Sequence, residues 1–119
     1  MVARKGRGVS AEDGRLDALA RYFRVLGDAT RLRILEALAD GERTVSELVE
    51  VTGAPQSRVS NHLACLRWCQ FVETERRGRQ VIYRVGDRRV MECLELGRAL
   101  SGEQAEHLAS CRRIGPEWV

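Results

Sequence analysis

The chain has 119 residues, 44% hydrophobic and 31% charged, a balance that fits one soluble globular domain and excludes a large enzyme with a deep cleft. No apolar run approaches the roughly 20 residues of a membrane span, and residues 1–10 carry Arg4, Lys5 and Arg7 without the apolar stretch of a signal peptide, so a cytoplasmic protein with no membrane partner is expected. The net charge is +3, but Ala54–Arg89 holds eight Arg against three acids, a local +5 on a body near −2, which points to a local polyanion contact.

Residues 1–12 are rich in glycine and charge without periodicity and read as a tail. From Asp13 onward, Leu16, Leu19, Ala20, Phe23 and Leu26 recur at three- and four-residue spacing, predicting a helix with one buried face that Gly27 ends. Asp28 or Thr30 caps a second helix carrying Leu32, Ile34, Leu35, Leu38 and Ala39, which stops near Asp40-Gly41. Thr44 and Glu47 make a T-x-x-E capping box for a short third helix with Val45, Leu48 and Val49, closed by Gly53. Pro55 then opens a fourth helix that runs to about Cys69. Val59, Leu63 and Leu66 supply its buried stripe, and Ser57, Ser60, Asn61, Ala64 and Trp68 lie opposite, with Trp68 expected to pack under the following hairpin.

Two short helices joined by a tight glycine-containing turn are a helix-turn-helix candidate. The polar first half of the second one, Gln56, Ser57, Arg58, Ser60, Asn61 and His62, suits base edges and phosphates in a major groove. Next come two stretches of β-formers, Phe71–Glu75 and Val81–Val85, separated by Arg76-Arg77-Gly78-Arg79-Gln80. They predict a hairpin with a basic tip, where Gly78 supplies a positive φ and Arg76, Arg77 and Arg79 meet phosphates or a minor groove. Asp87 caps a last long helix with Val90, Met91, Leu94, Leu96 and Leu100, a short helix follows within residues 102–111, and residues 112–119 read as a tail. The expected fold is mainly α with a β-hairpin wing, a winged helix-turn-helix. Its parts are a tail (1–12), a DNA-binding and dimerisation domain (13–101) and a C-terminal helix and tail (102–119). The first and last helices are more apolar than so small a core requires. Dimerisation through them would present two recognition helices to a palindromic double-stranded operator.

At this point the sequence resembles the ArsR/SmtB family of metal-responsive winged-helix repressors. The matching stretches are Leu26-Gly27-Asp28-Ala29-Thr30-Arg31-Leu32-Arg33-Ile34-Leu35, Val59-Ser60-Asn61-His62-Leu63-Ala64-Cys65-Leu66-Arg67 and Gly78-Arg79-Gln80-Val81-Ile82-Tyr83. The resemblance spans roughly residues 15–100. It implies a homodimeric repressor that holds its operator in the apo state and releases it when an inducer binds. One inducer site of the family uses a cysteine motif on the third helix, but Thr44–Glu50 has no cysteine. Another uses Asp and His pairs on the last helix. Here Asp87 is in place, Arg89 stands where a His is expected, and His107 is the nearby imidazole.

The cysteines carry the remaining chemistry. Cys65 and Cys69 are four apart, so their sulfurs share one helix face and can bind one soft metal ion together. A pair at these positions resembles the cadmium- and lead-sensing (CmtR-type) branch of the family. That branch takes a third thiolate from the C-terminal region of the other protomer, a role the resemblance gives to Cys111, with Cys93 as the rival. Three thiolates suit Cd(II), Pb(II), Hg(II) and As(III), whereas Zn(II) usually takes four ligands. The alternative is a redox-sensing repressor using a Cys65–Cys69 disulfide, which helical i, i+4 placement strains. No acid–base constellation or phosphate loop accompanies the thiols, so no enzyme is expected.

Overall fold

The computed structural model describes residues 11–110. In chain order these are α1 (Ala11–Leu26), α2 (Ala29–Ala39), β1 (Arg43–Thr44), α3 (Val45–Thr52), α4 (Gln56–Trp68), β2 (Val72–Arg77), β3 (Gln80–Val85), α5 (Arg89–Glu103) and α6 (Ala105–Ser110). Helices α3 and α4 form the helix-turn-helix, and β2 and β3 form the wing.

Local signals set most boundaries. Asp28 caps α2 by accepting from the Arg31 amide at 3.0 Å. At α3 both halves of the capping box form: Thr44 Oγ1 accepts from the Glu47 amide, and Glu47 accepts from the Thr44 amide at 2.8 Å. Gly53 ends that helix with φ 71°, a left-handed conformation that glycine adopts without steric cost. Pro55 takes the cap position of α4 rather than its first turn. At the other end of α4 the Gln70 amide bonds Arg67 O and the Phe71 amide bonds Leu66 O, a Schellman motif. It forces Gln70 to φ 67°, so a residue other than glycine occupies the left-handed position.

The sheet has the order β1-β3-β2 and is antiparallel throughout. Arg77 pairs with Gln80, so the wing tip narrows to the turn Gly78-Arg79 and the strands run further outward than their β-forming residues suggest. β1, which periodicity does not reveal, pairs Arg43 with Tyr83 and Thr44 with Ile82. The start of α3 is thereby tied to the wing. Asp87 lies two residues ahead of α5 and still serves its first turn, accepting from the Arg89 amide at 2.9 Å.

Ile34, Leu35, Leu48, Val59, Leu63 and Leu66 are fully buried and join the second, third and fourth helices into one core with Phe71 and Val72. Each such aliphatic side chain contributes about 1.5–3 kcal/mol on burial. The expectation of a buried α1 face needs correction. Only Leu26 of that helix is buried, while Leu16, Leu19 and Phe23 are about half exposed. On α5, Leu96 and Leu100 are exposed too. A single copy has too little core for both helices to cover their apolar faces.

Candidate nucleic-acid interface and thiol site

Helix α4 buries Val59, Leu63 and Leu66 and so turns Gln56, Ser57, Arg58, Ser60 and Asn61 outward, all exposed. Pro55 offers no side-chain cap. The first-turn N–H groups of α4 therefore add the positive end of the helix to the same surface. On the wing, Arg76 and Arg79 are exposed and form no ion pair among the described residues.

Two residues read as DNA contacts also make contacts within the protein. Arg77 pairs with both Glu42 and Glu75, and Arg84 joins the same carboxylates with Glu73. The hydrogen bonds from Arg77 and Arg84 hold the Glu75 carboxyl at a pKa of about 2. This network braces the base of the wing. His62 is turned inward, with its side chain 17% exposed. Its Nδ1 accepts from Arg31 Nε at 3.1 Å, and its Nε2 lies 3.7 Å from Asp28 Oδ1. Burial alone would raise the Asp28 carboxyl. The hydrogen bond from the Arg31 amide, helped by the neighbouring His62 ring and the Arg31 guanidinium, outweighs it and holds the pKa below its ordinary value.

The Schellman motif also fixes the thiols. Cys69 occupies the cap of α4, and its amide bonds Cys65 O at 3.0 Å, so the one-turn relation persists to the end of the helix. Both cysteines are free thiols, Cys65 half-buried and Cys69 exposed. Their side chains leave the same side of α4, one helical turn apart. Partial burial pushes the Cys69 thiol up, the charge and hydrogen bond of Cys65 add to that, and Arg31 opposes it. Two thiols one turn apart are a donor pair that a soft ion could bridge once their protons leave.

Cys93, half-buried on α5, shares with Cys69 a cavity of about 480 Å³ that Tyr22, Phe23 and Phe71 also line. Tyr22 there is raised by burial first, then by Cys93 and Asp87, with Arg89 opposing. Among the described residues no three Cys, His, Asp or Glu side chains come together as a metal-binding group. Cys93 therefore does not complete the Cys65/Cys69 pair in this arrangement. Cys111 lies outside the described residues. The Asp87 carboxylate is bound by Arg89 at 2.6 Å, which leaves it unsuited to a cation. Trp68 does not pack under the wing but stands 87% exposed beside the thiols.

Periodicity did not reveal the Arg31 side chain as part of this site. Its contact with His62 joins residues 31 positions apart, and the only hint was the adjacent capping aspartate.

Among the described residues no helix is long and apolar enough to cross a membrane. Residues 28–74 match the family model described as bacterial regulatory protein, arsR family. A probable mercury resistance operon repressor of Streptomyces lividans is 46% identical over 101 residues, covering 85% of this chain and 81% of that one. The regulator CmtR of Mycobacterium bovis is 46% identical over 80 residues, 67% of this chain and 68% of its own. A solution structure of a homodimeric winged helix-turn-helix DNA-binding domain from Mycobacterium bovis superposes with a TM-score of 0.73 at 30% identity, covering 86% of this chain and 94% of that one. The likeness extends across most of the chain. The protein belongs to the ArsR family of bacterial regulatory proteins, as a winged helix-turn-helix regulator of transcription rather than an enzyme.

Proposed function

We propose that the protein is a homodimeric repressor that binds a palindromic operator when metal-free and releases it when a soft, thiophilic ion binds Cys65 and Cys69. The observation that carries this reading is the pair of free thiols one helical turn apart at the end of the recognition helix. Gln56, Ser57, Arg58, Ser60 and Asn61 read the major groove, and Arg76 and Arg79 hold flanking phosphates or the minor groove. Arg77 and His62 act indirectly, by bracing the wing and the recognition helix. The exposed apolar faces of α1 and α5 supply the dimer surface. Such a regulator works in the cytoplasm, where the operator is.

The donor set fits the ion class. Thiolates select soft ions, and the pair alone gives two donors where Cd(II), Pb(II) and As(III) take three. The third comes from outside the described residues, and Cys111 is the candidate, supplied by the other protomer. Hg(II), which tolerates two or three thiolates, is favoured by the mercury resistance repressor among the relatives, and Cd(II) and Pb(II) by the resemblance of the cysteine pair to the cadmium- and lead-sensing branch.

The test is a titration of the reduced full-length protein with Hg(II), Cd(II), Pb(II) and As(III). Thiolate-to-metal absorption is followed together with binding to a duplex that the metal-free protein has selected from a randomised pool. Loss of DNA binding in step with the absorption band is expected, and Cys65→Ser or Cys69→Ser should abolish both. Cys111→Ser should weaken the response and Cys93→Ser should not; the reverse pattern assigns the third ligand to Cys93. Absence of a band and of release for every ion refutes metal sensing. Release by peroxide alone, reversed by a reductant, would establish the redox alternative.

A further inference from the structure

We propose that Arg31 is the positioning residue that couples the thiol pair to the placement of the recognition helix, an inference that rests on the metal-responsive reading above. Three elements converge on this side chain. Its Nε donates to His62 Nδ1 on α4 at 3.1 Å, and its Nη1 donates to Val25 O at the end of α1 at 2.9 Å. Its own amide is held by the α2 cap residue Asp28, which also lies 3.7 Å from the far side of the His62 ring.

Among the described residues, the Arg31–His62 bond is the one side-chain hydrogen bond that joins α4 to another helix. The rest of the seating of α4 is apolar, through Val59, Leu63 and Leu66. That packing decides which face of α4 is buried, and a directional contact at the edge of that face refines the angle. A hydrogen bond weakens steeply when misaligned. The guanidinium therefore refines the angle at which the outward face of α4, already selected by that packing, is presented.

His62, Cys65 and Cys69 fall at i, i+3 and i+7, one stripe of the helix. When three thiols bind one divalent ion, three protons leave to solvent and the centre carries one net negative charge. That charge appears on the Arg31 side of α4, where a neutral thiol pair stood before. It attracts the guanidinium in competition with the neutral acceptors His62 Nδ1 and Val25 O, because charged hydrogen-bond partners are the stronger ones. Movement of Arg31 toward the centre removes the angular constraint on α4.

The experiment uses full-length reduced protein with Hg(II) and Cd(II) and the selected duplex. In the wild type the ion should weaken DNA binding, and the ¹⁵N-edited resonance of Arg31 Nε–H should shift or broaden on metal addition. In Arg31→Gln the metal band and stoichiometry should persist, while the metal-induced fold-change in DNA affinity drops by about tenfold, within the range usual for coupled sites. His62→Leu, which fills the ring's space without an acceptor, should lose coupling in the same way. His62→Gln, which keeps an acceptor for Nε–H, should retain it. If Arg31→Gln fails to fold, the two His62 variants and the Nε–H resonance decide the matter. Undiminished coupling in Arg31→Gln or His62→Leu, or an unmoved Nε–H resonance in a wild type that does release DNA, overturns the role of Arg31 alone. A wild type that binds the ions but keeps its DNA overturns the metal-responsive reading and this inference with it.

Discussion

Phe23 offers the sharpest test of the dimer. It lies on α1, 54% exposed in the single chain, at the rim of the cavities that α1 forms with α5. An aromatic side chain has about 150–250 Å² to bury, so roughly 80–135 Å² of Phe23 remains for a partner to cover. At about 25 cal/mol per Å² this is worth roughly 2–3 kcal/mol per copy. Two-fold symmetry counts the substitution twice, and area overstates affinity because ordering costs oppose it. A realised loss of about 2–3 kcal/mol per dimer corresponds to a dissociation constant raised by roughly 30- to 150-fold. Phe23→Ala, followed by sedimentation equilibrium, should show that weakening, and operator affinity should fall with it. Phe23 also meets Tyr22 edge-on, with ring centroids 5.9 Å apart, so circular dichroism must establish that the variant monomer is folded. A folded variant with an unchanged dimer constant would refute the assignment of α1 to the interface.

Other outcomes follow from the wing and the helix end. Arg79→Ala should weaken operator binding about uniformly across sequences and reduce the slope of log affinity against log salt by about 1, whereas Arg77→Ala should lower thermal stability first. Gln70→Gly relieves a left-handed residue at φ 67°. It should stabilise the fold by about 0.5–1 kcal/mol, the penalty of about 1–2 kcal/mol less the added freedom of the unfolded chain, seen as a melting point higher by a few degrees. Glu75 is held at about 2 against an ordinary 4.5, by Arg77 first and then Arg84. A depressed carboxyl stabilises the fold above its unfolded pKa and loses that contribution as pH falls toward the folded one. The melting-point gap between wild type and Glu75→Gln should therefore be full at neutral pH and close between about pH 4.5 and pH 2; a gap that persists at pH 2 would refute the ion-pair account.

The legible features were those with local causes. The capping box at Thr44, the left-handed stop at Gly53 and the buried stripe Val59, Leu63 and Leu66 each follow from neighbours within one or two turns. The pair Cys65 and Cys69 was legible for the same reason. What escaped depends on distant groups. β1 is too short for any periodicity and exists because β3 pairs with it. Arg77 differs from Arg76 and Arg79 only in where the strand pleat and Glu42, 35 residues away, put its side chain. His62 looked like one more polar residue of the recognition helix until Arg31 was placed against it. The α1 leucines followed a clean helical period, but a period shows that a face is apolar, not which molecule covers it.

The same distinction bears on the switch. Cys65 and Cys69 ride on one hydrogen-bonded segment, so the pair keeps its geometry wherever α4 moves. An ion held by that pair alone would bind both placements of the helix equally, and a ligand without preference shifts no equilibrium however tightly it binds. The preference must come from groups outside α4 whose distance to the pair changes when the helix moves. On the proposed reading, a third thiolate on another segment would be one such group and the guanidinium of Arg31 a second. Inverting a two-state population from 99:1 to 1:99 takes about 5.5 kcal/mol of differential binding. A two-fold dimer has two such sites, so each needs to contribute only about half of that, roughly a hundredfold preference. On the proposed reading, one repositioned thiolate bond and one redirected ion contact per protomer would be enough, without rearranging the Ile34, Leu35 and Leu48 core.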